Sequence, residues 1–151
     1  MEPELVALGP ADAGEVLTLQ RAAYVTEAQL YDDLRLPPLV QTLDEVRAEL
    51  TDSRGLGLRL GPRLVGAVRT REDGGRVHVD RLTVAPDLQG RGLGSRLLSA
   101  AETGTGATEA ALFTGHLSLG NLRLYERCGY AEERREDVRP GLTLVHLSKR
   151  L

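Results

Sequence analysis

Apolar positions recur along this chain with two periods, and each change of period marks an element boundary. Glu4 to Leu8 reads as a short first strand. Ala11-Asp12-Ala13-Gly14 then leads into a helix with Val16, Leu17, Leu19 and Gln20 on a mainly apolar face and Asp12 at its N-cap. From Arg21 to Pro38 the apolar residues lose clear periodicity and Pro37-Pro38 stops any helix, so helical segments followed by a loop are expected there. Thr42-Leu43-Asp44-Glu45 is a capping box opening a helix to about Leu50, because the threonine oxygen and the glutamate carboxylate satisfy each other's orphan amides. Leu56, Leu58, Leu60 and then Leu64, Val65, Ala67, Val68 form two strands joined at Gly61-Pro62, and Asp73-Gly74-Gly75 turns into a third, from Arg76 to Val84. A helix from about Gly92 to Glu102 follows, then a short buried strand, Ala110 to Thr114, beside the previous one. A helix from Leu119 or Gly120 to Cys128 comes next. Ala131 to Val138 and Leu142 to Leu147 close the chain as an antiparallel pair around Pro140-Gly141. This order predicts one α/β domain over residues 1–151, a mixed sheet flanked by helices.

One junction carries more information than the rest. The strand ending at Val84 passes through Pro86 into the Gly-rich turn Gln89-Gly90-Arg91-Gly92-Leu93-Gly94 and straight into the helical pattern Leu93, Leu97, Leu98, Ala101. The first turn of a helix has N–H groups with no partner inside the helix, and its dipole favours negative charge, so a diphosphate can bind there. Gly90, Gly92 and Gly94 remove Cβ atoms that would hold a ligand off those amides. The run is not the G-x-G-x-x-G of a dinucleotide fold, and the Gly-Lys-Ser/Thr of a Walker loop is absent.

The turn matches Q-x-x-G-x-G/A, and Leu82-Thr83-Val84-Ala85-Pro86 precedes it. About 25 residues further on stands Asn121-Leu122-Arg123-Leu124-Tyr125-Glu126-Arg127-Cys128-Gly129-Tyr130, close to N-x-x-L-Y-E-x-x-G-F/Y. With both signatures in this order, the chain resembles the Gcn5-related N-acetyltransferase (GNAT) superfamily over roughly Leu56 to Lys149. The resemblance implies a central, mostly antiparallel mixed sheet and transfer of the acetyl group of acetyl-CoA to a primary amine in a ternary complex. A CoA-binding sensor or partner-binding module of the same fold, without catalysis, is the alternative.

The same resemblance assigns roles. The pantetheine arm would lie along the backbone of Leu82 and Val84, with an amide near Leu82 or Thr83 serving the oxyanion. The amides from Gln89 through Gly90, Arg91, Gly92, Leu93 and Gly94 to Ser95 would take the diphosphate, and Arg91 would add charge. Asn121 corresponds to the asparagine that bonds the cofactor arm, although it stands closer to Tyr125 than in many members. Tyr125 corresponds to the tyrosine that protonates the departing thiolate, a reasonable donor because a free phenol has a pKa of about 10. For the base, the histone-acetylating branch has a glutamate where this chain has His78, eleven residues before Gln89, with Asp80 on the same face. His116, in the turn after the next strand, is its rival. Family members build the acceptor pocket from the first helices and the closing hairpin, which points to Tyr24, Glu27 and Tyr31, with Asp32 and Asp33 beside them.

Composition narrows the classes. With 151 residues, 41% of them hydrophobic, the chain is long enough for one well-filled core. The formal net charge of −3 argues against nucleic acid as a partner. No apolar run reaches the roughly 20 residues a membrane span needs, and Met-Glu-Pro-Glu does not read as a signal peptide, so a cytoplasmic protein is expected. Cys128 is the only cysteine, which precludes an internal disulfide, fits a reducing compartment, and with no companion ligands predicts no metal site. Among 19 basic residues only Lys149 is a lysine. A small-molecule or peptide amine is the expected partner; homodimers are frequent in the superfamily, though no residue here establishes one.

Overall fold

The structure, a computed structural model, describes residues 2–151. Seven strands form one sheet in the order β1-β2-β3-β4-β5-β7-β6. β1 (Glu4–Leu8), β2 (Arg54–Leu60), β3 (Arg63–Asp73) and β4 (Arg76–Val84) run antiparallel to one another. β5 (Glu109–Gly115) is parallel to β4, and the hairpin of β6 (Ala131–Arg139) and β7 (Leu142–Arg150) is added antiparallel through β7. Every strand expected from the alternation is present. Gly74 and Gly75 make the β3–β4 turn with φ of 59° and 80°, backbone angles that glycine adopts without a Cβ penalty.

The helices are α1 (Ala13–Tyr31), α2 (Pro37–Val40), α3 (Leu43–Asp52), α4 (Leu93–Glu102) and α5 (Leu119–Arg127). α1 and α3 pack together and α1 crosses β3 and β4, whereas α4 contacts β2, β3 and β4. α5 closes against α4: a Cβ on Gly94 would come within 3.0 Å of Leu124, and the Cys128 thiol meets the Ser95 hydroxyl at 3.6 Å. The core between sheet and helices holds Val16, Leu58, Val65, Val68, Leu97 and Leu98, each 2% exposed or less. No helix among the described residues is long and apolar enough to cross a membrane.

Three local readings change, one being that Pro37-Pro38 does not stop a helix but opens α2, where the missing N–H groups cost nothing in the first turn. The stretch after Arg21 continues as one helix to Tyr31, and it stops where Asp32 takes a left-handed φ of 50°. Asp12 stands at the N-cap of α1, but its carboxylate accepts from the Gly9 N–H at 2.8 Å and pairs with Arg59, closing the preceding 3₁₀ turn and not the helix. The α3 capping box forms as expected, with Thr42 N–H donating to Glu45 at 3.0 Å and Glu45 N–H to Thr42 Oγ1 at 3.2 Å. At the far end of α4, Glu102 accepts from the Tyr130 hydroxyl at 2.7 Å and from Lys149 at 2.8 Å, tying the helix to β7.

Candidate active site

The parallel ladder between β4 and β5 has only three rungs, Arg76↔Glu109, Val77↔Ala110 and His78↔Ala111. Beyond them the strands part, because β4 carries a bulge: Ala67 faces Thr83 and Arg69 faces Asp80, so Arg81 and Leu82 together oppose Val68. Arg81 absorbs the extra residue with φ of 54°, and a bulge of this kind bends and twists its strand. The edge of β4 from Val79 to Val84 therefore has no strand neighbour on the β5 side. Its amides and carbonyls are left for a ligand.

A cleft of about 480 Å³ fills the gap. Leu82, Thr83 and Val84 line one wall, the turn from Leu88 to Ser95, except for the exposed Arg91, its mouth, α5 through Asn121, Arg123, Leu124 and Arg127 a second wall, and α1 through Tyr24 and Glu27 its inner end. Gly90 and Gly92 take φ of 77° and 80°, and nothing lies within 4 Å of where their Cβ atoms would stand, so the loop is bent by glycine and open above. Gly92 caps α4, and Arg96 N–H is the amide that returns to its carbonyl, at 3.1 Å; the first-turn N–H groups before it face the cleft mouth without helical partners. These features fit an acyl-CoA, whose diphosphate would meet the amides and whose arm would lie along β4.

Around the inner end the sequence candidates separate. Tyr125 lies 6% exposed on α5, packed edge-on to Tyr130 with ring centroids 6.2 Å apart. Burial holds its phenol pKa well above the usual value, and nearby Tyr24 and Glu27 push the same way, so the hydroxyl keeps its proton. Tyr24 is raised too, chiefly by burial, with Arg81 and Glu27 acting on it in opposite senses. Asn121 lines the cleft while its amide donates to Thr114 Oγ1 at 3.3 Å. Tyr31 is buried outside the cleft: its hydroxyl accepts from Leu117 N–H at 3.0 Å and meets Ser118 Oγ at 2.9 Å. Ser118 in turn donates to a carboxylate oxygen of Glu27. The result is a polar chain from the β5–α5 turn to Glu27, in which each hydroxyl is oriented by the one before it. Ser118, 4% exposed, is the member that sequence reading missed, since a lone serine after a turn carries no signal.

Neither histidine candidate lines the cleft. His78 occupies the last rung before the strands part, on the face opposite the buried Val77 and Val79. His116 is held to β7, its N–H donating to the Thr143 carbonyl at 2.9 Å and its Nδ1 accepting from Thr143 N–H at 3.1 Å. In the neutral ring that bond occupies the basic lone pair, leaving Nε2 as a donor.

A second cavity, about 390 Å³, lies along β4 on the side of α3. Glu49 and Asp52 of α3, Arg69 and Arg71 of β3, Asp80 and Arg81 of β4 and Phe113 of β5 line it. Only Asp80 among them stands out in the sequence, on the strand face it shares with His78. Consecutive residues of β4 thus face two cavities, Asp80 and Arg81 the groove and Leu82 to Val84 the cleft.

A family model described as an acetyltransferase (GNAT) domain matches residues 36–151. Sequence comparison with curated proteins finds no significant match. Among solved structures, the PaiA N-acetyltransferase of Thermoplasma acidophilum in complex with coenzyme A aligns with a TM-score of 0.78 at 18% identity over 100% of both chains. The ribosomal-protein-S18-alanine N-acetyltransferase of Escherichia coli aligns at 0.79 and 15% identity, covering 98% of this chain and 93% of that one. A GCN5-related N-acetyltransferase of Rhodopseudomonas palustris aligns at 0.79 and 22% identity, over 100% of this chain and 97% of that one. At such identities the likeness is one of fold.

Proposed function

The chain belongs to the GNAT acetyltransferase family and is an acyl-CoA-dependent N-acetyltransferase; from that premise we propose direct transfer from acetyl-CoA to a primary amine, with Glu27 as proton acceptor and Tyr125 as proton donor. The observation that carries this reading is the cleft between the parted strands, with Glu27 lining its inner end and Tyr125 buried behind that lining, near enough to Tyr24 and Glu27 for both to act on its phenol. Bound acetyl-CoA supplies the activated thioester. The amides from Gly90 to Ser95 hold the diphosphate at the start of α4. The free edge of β4 at Leu82 and Thr83 offers an N–H to the negative charge that develops on the carbonyl oxygen, without reorganising to do so. Carbon–nitrogen bond formation and carbon–sulfur cleavage release one proton from the amine and require one for the thiolate. Glu27 takes the first and Tyr125 gives the second.

Glu27 is preferred to the histidines on geometry. It lines the cleft, whereas His116 spends its lone pair on β7 and His78, on the last rung before the strands part, is not part of the cleft lining. The Tyr31–Ser118 chain holds its carboxylate in place, the kind of support a positioned base needs. In a CoA-release assay over an amine panel, Glu27→Gln and Tyr125→Phe should each lower kcat by about 100-fold. Acetyl-CoA affinity by calorimetry should stay within about threefold of wild type for both. Wild-type turnover in either variant removes that residue from the mechanism, and no acetyl-CoA binding by the wild-type protein removes the reading itself.

A further inference from the structure

The groove beside the cleft holds three arginines and three carboxylates, and all but two of these charges are accounted for. Arg69 pairs with Glu49 at 2.8 Å and Arg71 with Asp80 at 3.6 Å. Asp52 is exposed at the groove's edge, where water solvates it. Arg81 is only partly exposed, its Nε is sealed from solvent with no hydrogen-bond partner, and its guanidinium makes no ion pair among the described residues. A half-buried guanidinium is costly to leave without a counter-charge, and it presents a planar fork suited to a carboxylate. It also stands on the left-handed bulge, immediately before the strand edge proposed to serve the reacting carbonyl.

Resting on the acetyltransferase reading, we propose that this groove is the acceptor site and that Arg81 binds a carboxylate on the acceptor, so that the substrates are small amines bearing an acid group, of the amino-acid kind. The geometry links the two ends of such a molecule. Arg81 opens on the groove and the next residue, Leu82, on the cleft that Tyr24 and Glu27 line from one face of α1, so an acceptor held by its carboxylate at Arg81 would have its amine directed toward that cleft. Charge balance favours a monoanion. Glu49 and Asp80 flank the arginines, and one free guanidinium is neutralised by one carboxylate, whereas a dianionic phosphate would add repulsion from both acids. A cavity of 390 Å³ suits a ligand of this size.

The test titrates CoA-saturated protein by calorimetry with product-shaped probes, N-acetylglycine and N-acetylalanine, against their neutral amides and against N-acetyl-phosphoethanolamine. The acids should bind at least about tenfold more tightly than the amides. Arg81→Gln should erase that preference while leaving CoA affinity unchanged, and Arg81→Lys, which keeps the charge and loses the fork, should retain part of it. Thermal unfolding of each variant reports whether the bulge has folded; if Arg81→Gln does not fold, the Arg81→Lys comparison decides, and full wild-type preference in that variant would overturn the role of the fork. Equal binding of acids and amides, no binding of either at about 10 mM, or tighter binding of the phosphate probe overturns the proposal. Acetyl-CoA binding without carboxylate preference leaves the acetyltransferase reading intact and removes this inference alone. If CoA itself fails to bind, the same probes are titrated without it and judged by the same comparison.

Discussion

At the scale of single residues, the inner end of the site depends on one glycine. Gly115 ends β5, and a methyl group there would overlap the Tyr31 phenol, the first hydroxyl in the chain that reaches Glu27. Gly115→Ala is therefore expected to cost about 2 kcal/mol through forced repacking, read as a fall in Tm, and to lower turnover by displacing Tyr31 from Ser118. An unchanged Tm would mean that the turn shifts freely and that the polar chain is not held as described. The sequence made Tyr24, Glu27 and Tyr31 visible as polar and aromatic groups clustered on one segment. It did not divide them into two cleft residues and one buried support, because that division comes from the end of α1 meeting the end of β5, where Tyr31 lies against Gly115. Arg81 was unreadable for a similar reason: a left-handed arginine arises from the register between β3 and β4, which no local pattern records.

At the scale of elements, α1, α3 and β3 are joined by polar groups as well as by packing. Arg69, 3% exposed, reaches Glu49 at 2.8 Å and the Gln20 oxygen at 3.0 Å; Gln20 also donates to Gln41 at 2.9 Å and to the Pro38 carbonyl at 2.8 Å. Desolvation presses the Arg69 pKa below its usual value, and the Glu49 carboxylate works against that by favouring the charged form. Glu49→Ala removes the compensating carboxylate and should lower stability by roughly 2 kcal/mol, less than for a fully buried pair because Glu49 is partly solvated. Urea denaturation should show a lower midpoint with an unchanged slope; an unmoved midpoint would show that the glutamines alone satisfy the guanidinium. The network meets α1 at Gln20, a polar residue on its apolar face. Beyond it only Ala28 and Tyr31 are buried while Ala23, Tyr24 and Glu27 line the cleft, so the apolar period falters where the helix in fact continues. α3 was legible because its signal, the capping box, is local.

At the scale of the whole molecule, the strand order and the two signatures led to the family, since both the Gly-rich turn and the hairpin turns are written in short stretches of sequence. The parting of β4 from β5 was not legible; it emerges from a bulge acting on a three-rung ladder and needs the assembled sheet. The sheet ends at β6, exposed along its whole length and rich in charge, which discourages further strand pairing at that edge. At the end of α4, the only lysine of the chain has its ammonium on Glu102 at 2.8 Å and 5.7 Å above the Tyr130 ring. A protein that handles an acyl thioester therefore offers its own cargo no idle ε-amine, and should resist acetylating itself. Prolonged incubation with acetyl-CoA, followed by peptide mass spectrometry, should find Lys149 unmodified in the wild-type protein and modified in Glu102→Gln, where the ammonium has lost its carboxylate partner. Arginine everywhere else leaves the surface positively studded yet inert to the reagent the protein carries.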